Sequence, residues 1–305
     1  MKPLSVGNIV SAGLRIYRDN FVKYFRIAFI GYLWIFAPIV ILAIGAAAIA
    51  AVFVGQSSYS VGLSVLMLVA AIVALVYSSA RFAAMSGLIA RLTYGEVAEQ
   101  PETVGEAQRQ VRPKMWSFLL AGILSSLIFF GAAIGYLIVF GIATFLAGFI
   151  AGQNSDLTAT MTVIISLVAV VVFIFGGIRL VSRLFLVELP LAVEDAVTVS
   201  GTIGRSWELT KGAVGRIQLV IPISFLISIP VFLAIQIIST IVQTILSAVL
   251  SNLSPTLATA ALIVIYIAFS LISGAFMIPF WQSIKSVIYY DLRVRREGMG
   301  MDLRK

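Results

Sequence analysis

Charge disappears from this chain over three long blocks: residues 27 to 80, 115 to 178 apart from Asp156, and 217 to 284, which are 54, 64 and 68 residues long. A helix needs about 20 apolar residues to cross about 30 Å of hydrocarbon, so each block is too long for a single crossing. A short polar break interrupts each block near its middle: "GQSSYS" from Gly55, "GQNSD" from Gly152 and "SNLSP" from Ser251. Each block therefore reads as a helical hairpin, and three hairpins give six transmembrane helices. Lipid offers the backbone no hydrogen-bond partners, which favours helices over any open sheet. The ten-residue alternation of a closed barrel is absent. The fold expected is an all-α integral membrane protein.

The intervening segments, 1 to 26, 81 to 114, 179 to 216 and 285 to 305, hold 5, 5, 5 and 6 Lys/Arg, which is all 21 in the chain. The hairpin turns hold none. By the positive-inside rule both termini and the two long connections are expected in the cytoplasm, N-in and C-in. Composition agrees: 61% of residues are hydrophobic, 11% are charged and mean hydropathy is +1.08. The first 26 residues carry six charges and no apolar stretch, so they are not expected to form a cleavable secretory signal. Cysteine and histidine are both missing, which removes disulfides, thiolate nucleophiles, imidazole bases and the usual zinc and haem ligands.

A similar segment precedes each hairpin: "VSAGLRIYRDNFVKYF" from Val10, "VGEAQRQVRPKMWSF" from Val104 and "IGRSWELTKGAVGRI" from Ile203. Read as helices, they carry apolar stripes at one spacing: Val10, Leu14, Tyr17, Phe21 and Tyr24; Val104, Val111, Met115 and Phe118; Ile203, Trp207, Val214 and Ile217. Thr103 and Glu106 form a capping-box pattern, and Pro113 should end the second helix early. Arg81, Arg183 and Lys285 stand 102 residues apart, where the returning helices should leave the membrane. The chain thus reads as one membrane domain, 1–305, built from three tandem units at 5–98, 99–197 and 198–296, with 297–305 as a short cytoplasmic tail. Each unit is a surface helix followed by a hairpin, and the shared orientation places any pseudosymmetry axis along the membrane normal.

The surface helices are expected to turn an apolar side toward acyl chains and a basic side toward headgroups. Candidate contacts to anionic headgroups or a protein partner are Arg15, Arg18, Lys23 and Arg26 before the first hairpin. Arg81, Arg109, Arg112 and Lys114 follow it, and Arg183, Arg205, Trp207, Lys211, Arg216 and Lys285 complete the set. Three roles fit such helices: anchoring alone, lipid sensing or membrane shaping, and docking of a protein partner.

The residues from Glu194 to Ile217, "VEDAVTVSGTIGRSWELTKGAVGRI" with its preceding valine, resemble the membrane domain associated with bacterial glycerophosphodiester phosphodiesterases and its stand-alone relatives. The resemblance rests on Glu194 and Asp195, then Arg205, Ser206, Trp207, Leu209, Lys211 and Gly212 before an apolar helix. "SVGNIVSAGLRIYRDNFVKYF" is similar to the same family's opening segment. Some members are fused to a catalytic barrel, and no such domain is readable here. The resemblance therefore implies a membrane module of a bacterial cytoplasmic membrane, or an equivalent internal membrane, and gives no warrant for phosphodiesterase activity.

Two acidic groups are candidates for metal or proton chemistry: Glu96, Glu99, Glu102 and Glu106 around Pro101, and Glu188, Glu194 and Asp195 around Pro190. Without histidine, a nucleophile or a phosphate cradle they read as solvated loop charges. No catalytic, metal or cofactor residue is assigned, and no enzyme activity is expected. Transport usually leaves ionisable residues near the midplane, and the spans offer only uncharged groups such as Ser125, Ser126, Ser224, Ser228, Gln236 and Gln282. Pro38, Pro222, Pro230 and Pro279 predict kinks. Gly131 with Gly135 and Gly148 with Gly152 have the spacing of close helix contacts. The function expected is a non-catalytic membrane-organising, assembly or accessory module. It would engage anionic lipids, a membrane-protein partner or a second copy of itself, and no nucleic acid. The alternative is a small-molecule or lipid transporter with an uncharged cavity between the units.

Overall fold

The computed structural model describes residues 4–53, 61–195, 197–250 and 255–298. Among these, all regular structure is helical. In chain order the helices are α1 (Val6–Asp19), α2 (Phe21–Phe53), α3 (Val61–Val97), α4 (Val104–Val111), α5 (Met115–Ala151), α6 (Ser155–Leu184), α7 (Glu188–Val193), α8 (Val199–Thr210), α9 (Val214–Val249) and α10 (Pro255–Glu297). Six of them, α2, α3, α5, α6, α9 and α10, are long and apolar enough to cross a membrane. The class is a helical multi-pass membrane protein.

One of the three expected turns can be described. Gly152 ends α5 with φ 58° and ψ −124°, a conformation open to glycine because it has no Cβ. Asn154 then starts α6, its side-chain oxygen accepting from the Leu157 amide at 3.0 Å. The "GQSSYS" break and residues Ser251 to Ser254 of the third lie outside the described residues. The expected unit boundaries at 98/99 and 197/198 fall in connections, the first between α3 and α4 and the second between α7 and α8.

The spanning helices overshoot the bilayer. α3 has 37 residues and α10 has 43. At 1.5 Å per residue these reach about 55 and 65 Å against about 30 Å of hydrocarbon. The surplus lies at the charged end, and the protein core is built there. Tyr24, Ile89, Leu92, Leu186, Leu189, Ile284 and Tyr289 are fully buried in one cluster. Farther from this end apolar side chains point outward, as do Phe145 (73% exposed) and Phe149 (78% exposed) on α5. Lipid is the only solvent in which such a surface is stable.

Close approach at the core depends on glycine. A Cβ on Gly13 of α1 would lie 2.6 Å from Ile284 Cδ1 of α10, and one on Gly87 of α3 would lie 2.5 Å from the Phe118 ring of α5. Around Gly131, Gly135, Gly148 and Gly152, by contrast, there is open space. The spacing of those four permits contact, yet no neighbouring atom comes within 4 Å of where their Cβ atoms would stand. Pro38, Pro222, Pro230 and Pro279 lie within α2, α9 and α10.

The short helices α1, α4 and α8 are part of this core. Ile9, Val10 and Gly13 of α1 are buried, with α10 and α9 as neighbours. Tyr17 donates its hydroxyl to the Phe276 carbonyl at 3.1 Å, and burial pushes its phenol above the ordinary tyrosine value. Thr103 and Glu106 form the expected capping box on α4, and a 3-10 turn containing Pro113 follows α4 directly. On α8 the buried side chains are Thr202, Ser206, Leu209 and Thr210. The sequence stripe matches the buried face in part: Val10, Tyr24, Val111, Phe118, Val214 and Ile217 are inside, but Trp207 and Leu14 are exposed, and Thr202, Ser206 and Ile9 are buried off the stripe.

Candidate functional site

The site begins with a proline. α3 and α10 continue without interruption past Arg81 and Lys285, but α6 stops at Leu184 one residue after Arg183. Pro190 explains the break. In a continuous helix its ring would clash with the Leu186 carbonyl, and it has no N–H to donate. The chain instead turns over residues 185–187, with the Val187 amide donating to Leu184 O at 3.3 Å and Leu189 to Leu186 O at 3.1 Å. The short α7 then starts at Glu188 and puts Pro190 in its first turn, where a missing N–H costs nothing.

The break frees backbone acceptors, and α8 supplies donors. Ser206 donates to the Arg183 carbonyl at 2.7 Å, and Thr202 donates to Val187 O at 2.6 Å. These hydroxyls are one turn apart on α8, which is why its buried face is polar. The other end of α7 is held by cations. Lys114 donates to the carbonyls of Leu191 (3.3 Å) and Glu194 (2.9 Å), and Arg91 donates to Ala192 O at 3.0 Å. Positive side chains at a helix C-terminus satisfy its last carbonyls and complement its dipole.

Both acidic groups expected around prolines are separated into ion pairs. Arg91 holds Glu102 at 2.7 Å and Lys23 holds Glu96 at 3.3 Å, while Glu106 is used by its own cap. Glu194 accepts from Arg205 at 3.2 Å and from the Tyr289 hydroxyl. Glu99 and Asp195 are exposed.

Fixing α7 in this way points Glu188 inward. It faces a cavity of about 570 Å³ where the three hairpins meet, lined by residues of α2, α3, α5, α6, α7, α9 and α10. Its walls include Tyr32, Phe82, Phe129, Phe185 and Trp281. The polar groups gather at the charged end. Lys285 Nζ lies 3.5 Å from Glu188 Oε1. Ser86 donates to Glu188 Oε2 at 3.3 Å. Gln282 donates through Nε2 to Ser86 Oγ at 2.7 Å and also to Glu188 Oε2. A second cavity, about 700 Å³ between α5 and α6, is lined by Gly135, Tyr136, Phe173, Gly176 and other apolar groups, and has no charged lining residue.

The structure divides the expected contact residues into three groups. Lys23, Lys114, Arg205, Arg216 and Lys285 are engaged by internal partners. Arg216, for example, meets Asp291 at 2.8 Å and donates to Leu4 O at 3.1 Å. Arg81 and Arg183 stack on aromatic rings, Arg81 over Trp34 (4.7 Å) and Arg183 over Trp207 (5.0 Å). Arg15, Arg18, Arg26, Arg109, Arg112 and Lys211 are exposed. Sequence reading passed over Ser86, and it placed Glu188 among solvated loop charges. The available signal was an acid inside the apolar run "LFLVELPLAV". The cavity expected to be uncharged therefore carries an ion pair.

No family model, curated protein or solved structure matches the chain. The fold and its cavity define the class, a helical multi-pass membrane protein with an amphipathic cavity among its spans.

Proposed function

We propose that this protein takes a single lipid-like amphiphile from the membrane into its central cavity, as a non-catalytic lipid-handling module. The observation that carries the reading is the grouping of Glu188, Gln282, Ser86 and Lys285 at one end of a cavity whose other lining is apolar and aromatic. A volume of about 570 Å³ falls in the range of roughly 300–1,000 Å³ typical of ligand sites. An amphiphile matches both ends, its headgroup at the ion pair and its chains among Tyr32, Phe129 and Trp281.

Orientation belongs to the same proposal. The charged end, with the exposed Arg15, Arg18, Arg26, Arg109, Arg112 and Lys211, faces the cytoplasm. Those cations hold the protein to anionic headgroups, each contributing about 1 kcal/mol near such a surface. The three units 5–98, 99–197 and 198–296 are internal repeats, each giving one hairpin to the cavity wall. The residues shared with phosphodiesterase-associated membrane domains have structural work in this chain: Glu194 binds Arg205, Ser206 caps α6, and Gly212 takes a positive φ. Their pattern supports a common membrane scaffold and no hydrolytic reaction.

Native mass spectrometry of the full chain in mild detergent tests the reading. The wild type should retain one lipid per protein. Ile221→Trp, which fills the cavity from α9, should lose it. Equal retention by both proteins, or none by the wild type, would sink the proposal.

A further inference from the structure

The polar end of the cavity is chemically incomplete, and what it lacks specifies a headgroup. Gln282 is 97% buried by its 3% relative exposure, and its amide orientation is determined by its neighbours. The Ser86 hydroxyl donates to Glu188, so Ser86 Oγ and the Glu188 carboxylate both act as acceptors toward Gln282. Nε2 must face them, since the reversed amide would set its oxygen against the carboxylate. Gln282 Oε1 is left buried with no hydrogen-bond partner among the described residues. With an accessible surface below 1 Å², that oxygen is closed to any occupant of the cavity, and the amide's role is to hold the Glu188 carboxylate in place.

The ion pair itself is incomplete. Glu188 and Lys285 meet at 3.5 Å, beyond the roughly 2.7–2.9 Å of a close charge-assisted hydrogen bond. The Glu188 side chain is 39% exposed, so Oε1 has room for a nearer cation. Lys285 has three N–H groups, and its Nζ otherwise lies 5.4 Å from the Phe185 ring, so it has room for an anion.

We infer that the cavity selects an amphiphile whose headgroup joins a phosphate ester to a primary ammonium group. The phosphate binds Lys285, and the ammonium donates to Glu188 Oε1. This inference rests on the amphiphile reading above and adds the headgroup chemistry. A fatty acid would satisfy Lys285 and bring no cation to Glu188. A trimethylammonium headgroup carries no N–H, and a glycerol headgroup brings hydroxyl donors without the charge that Glu188 attracts.

The test is a competition on the full chain in detergent, read by native mass spectrometry. It uses equimolar phosphatidylethanolamine, phosphatidylglycerol and phosphatidylcholine with identical acyl chains. Wild-type protein should retain phosphatidylethanolamine roughly tenfold over phosphatidylcholine, the factor that one good hydrogen bond to a charged group confers, with phosphatidylglycerol between. Glu188→Gln should keep a lipid bound and bring the ethanolamine-to-glycerol ratio close to one. Lys285→Met should weaken retention of all three. One bound lipid with no headgroup preference in the wild type would overturn this inference and leave the amphiphile reading standing. Loss of lipid binding altogether, or unchanged binding in Ile221→Trp, would overturn both. The wild-type ratio needs no variant, so a substitution that fails to fold does not block the decision.

Discussion

Ser206 of α8 donates its hydroxyl to the carbonyl of Arg183 on α6, 2.7 Å away and fully out of contact with solvent. That contact explains why a polar residue of the segment "GRSWELT" lies on the buried face of α8. It is a cap for a helix interrupted by Pro190, and a second hydroxyl, Thr202, does the same for Val187. Ser206→Ala should leave a buried carbonyl unpaired and destabilise the protein by about 1–3 kcal/mol. A thermal melt in detergent would measure this, and a melt unchanged from wild type would remove the capping role.

Two Asp ion pairs should behave in opposite ways. Asp291 is 7% exposed, accepts from Arg295 at 2.6 Å and from the Leu4 amide at 3.3 Å, and lies 2.8 Å from Arg216 Nη2 as an ion pair. Asp291→Asn leaves Arg216 with a largely buried, uncompensated charge, a loss on the order of 3 kcal/mol. Asp19 pairs with Arg18 in the open, with side chains 53% and 79% exposed. Asp19→Asn should change stability by less than about 0.5 kcal/mol. Denaturation curves of the two variants side by side give the comparison.

Backbone geometry makes a third pair of opposites. Gly212 joins α8 to α9 with φ 81°, and Glu99 follows α3 with φ 58°. An L side chain in this region costs roughly 1–2 kcal/mol. Gly212→Ala should lower stability by about that amount, whereas Glu99→Gly should raise it slightly or leave it level. If both variants lose stability equally, the turn conformations described above are wrong.

The orientation proposed above can be read directly, because the chain contains no cysteine. Single substitutions Gln153→Cys, in the α5–α6 turn, and Arg109→Cys, on the exposed side of α4, should react with an impermeant thiol reagent from opposite sides of the membrane. Labelling of both from one side would reverse the topology and remove the basic face from the cytoplasm.

Six spans were legible in the sequence because lipid imposes a coarse rule: long uncharged blocks must be helical, and a polar break in each must be a turn. The capping box at Thr103 and Glu106 and the stop at Pro113 were legible for the same kind of reason, since they depend on neighbours within one helical turn. The buried face of α8 was not. Apolar periodicity pointed to Ile203 and Trp207, but the partner of α8 is a broken helix end that needs hydrogen-bond donors, so Thr202 and Ser206 went inside. The cavity lay further still beyond sequence reading. Ser86, Glu188, Gln282 and Lys285 come from three helices, and each alone looks like a solvated or interfacial polar residue. What the chain alone determined was which stretches enter lipid, because that depends on composition summed over about 20 residues. Only tertiary packing decided which cations are held by internal carboxylates and which carboxylate faces the cavity, because those depend on where separate helices meet.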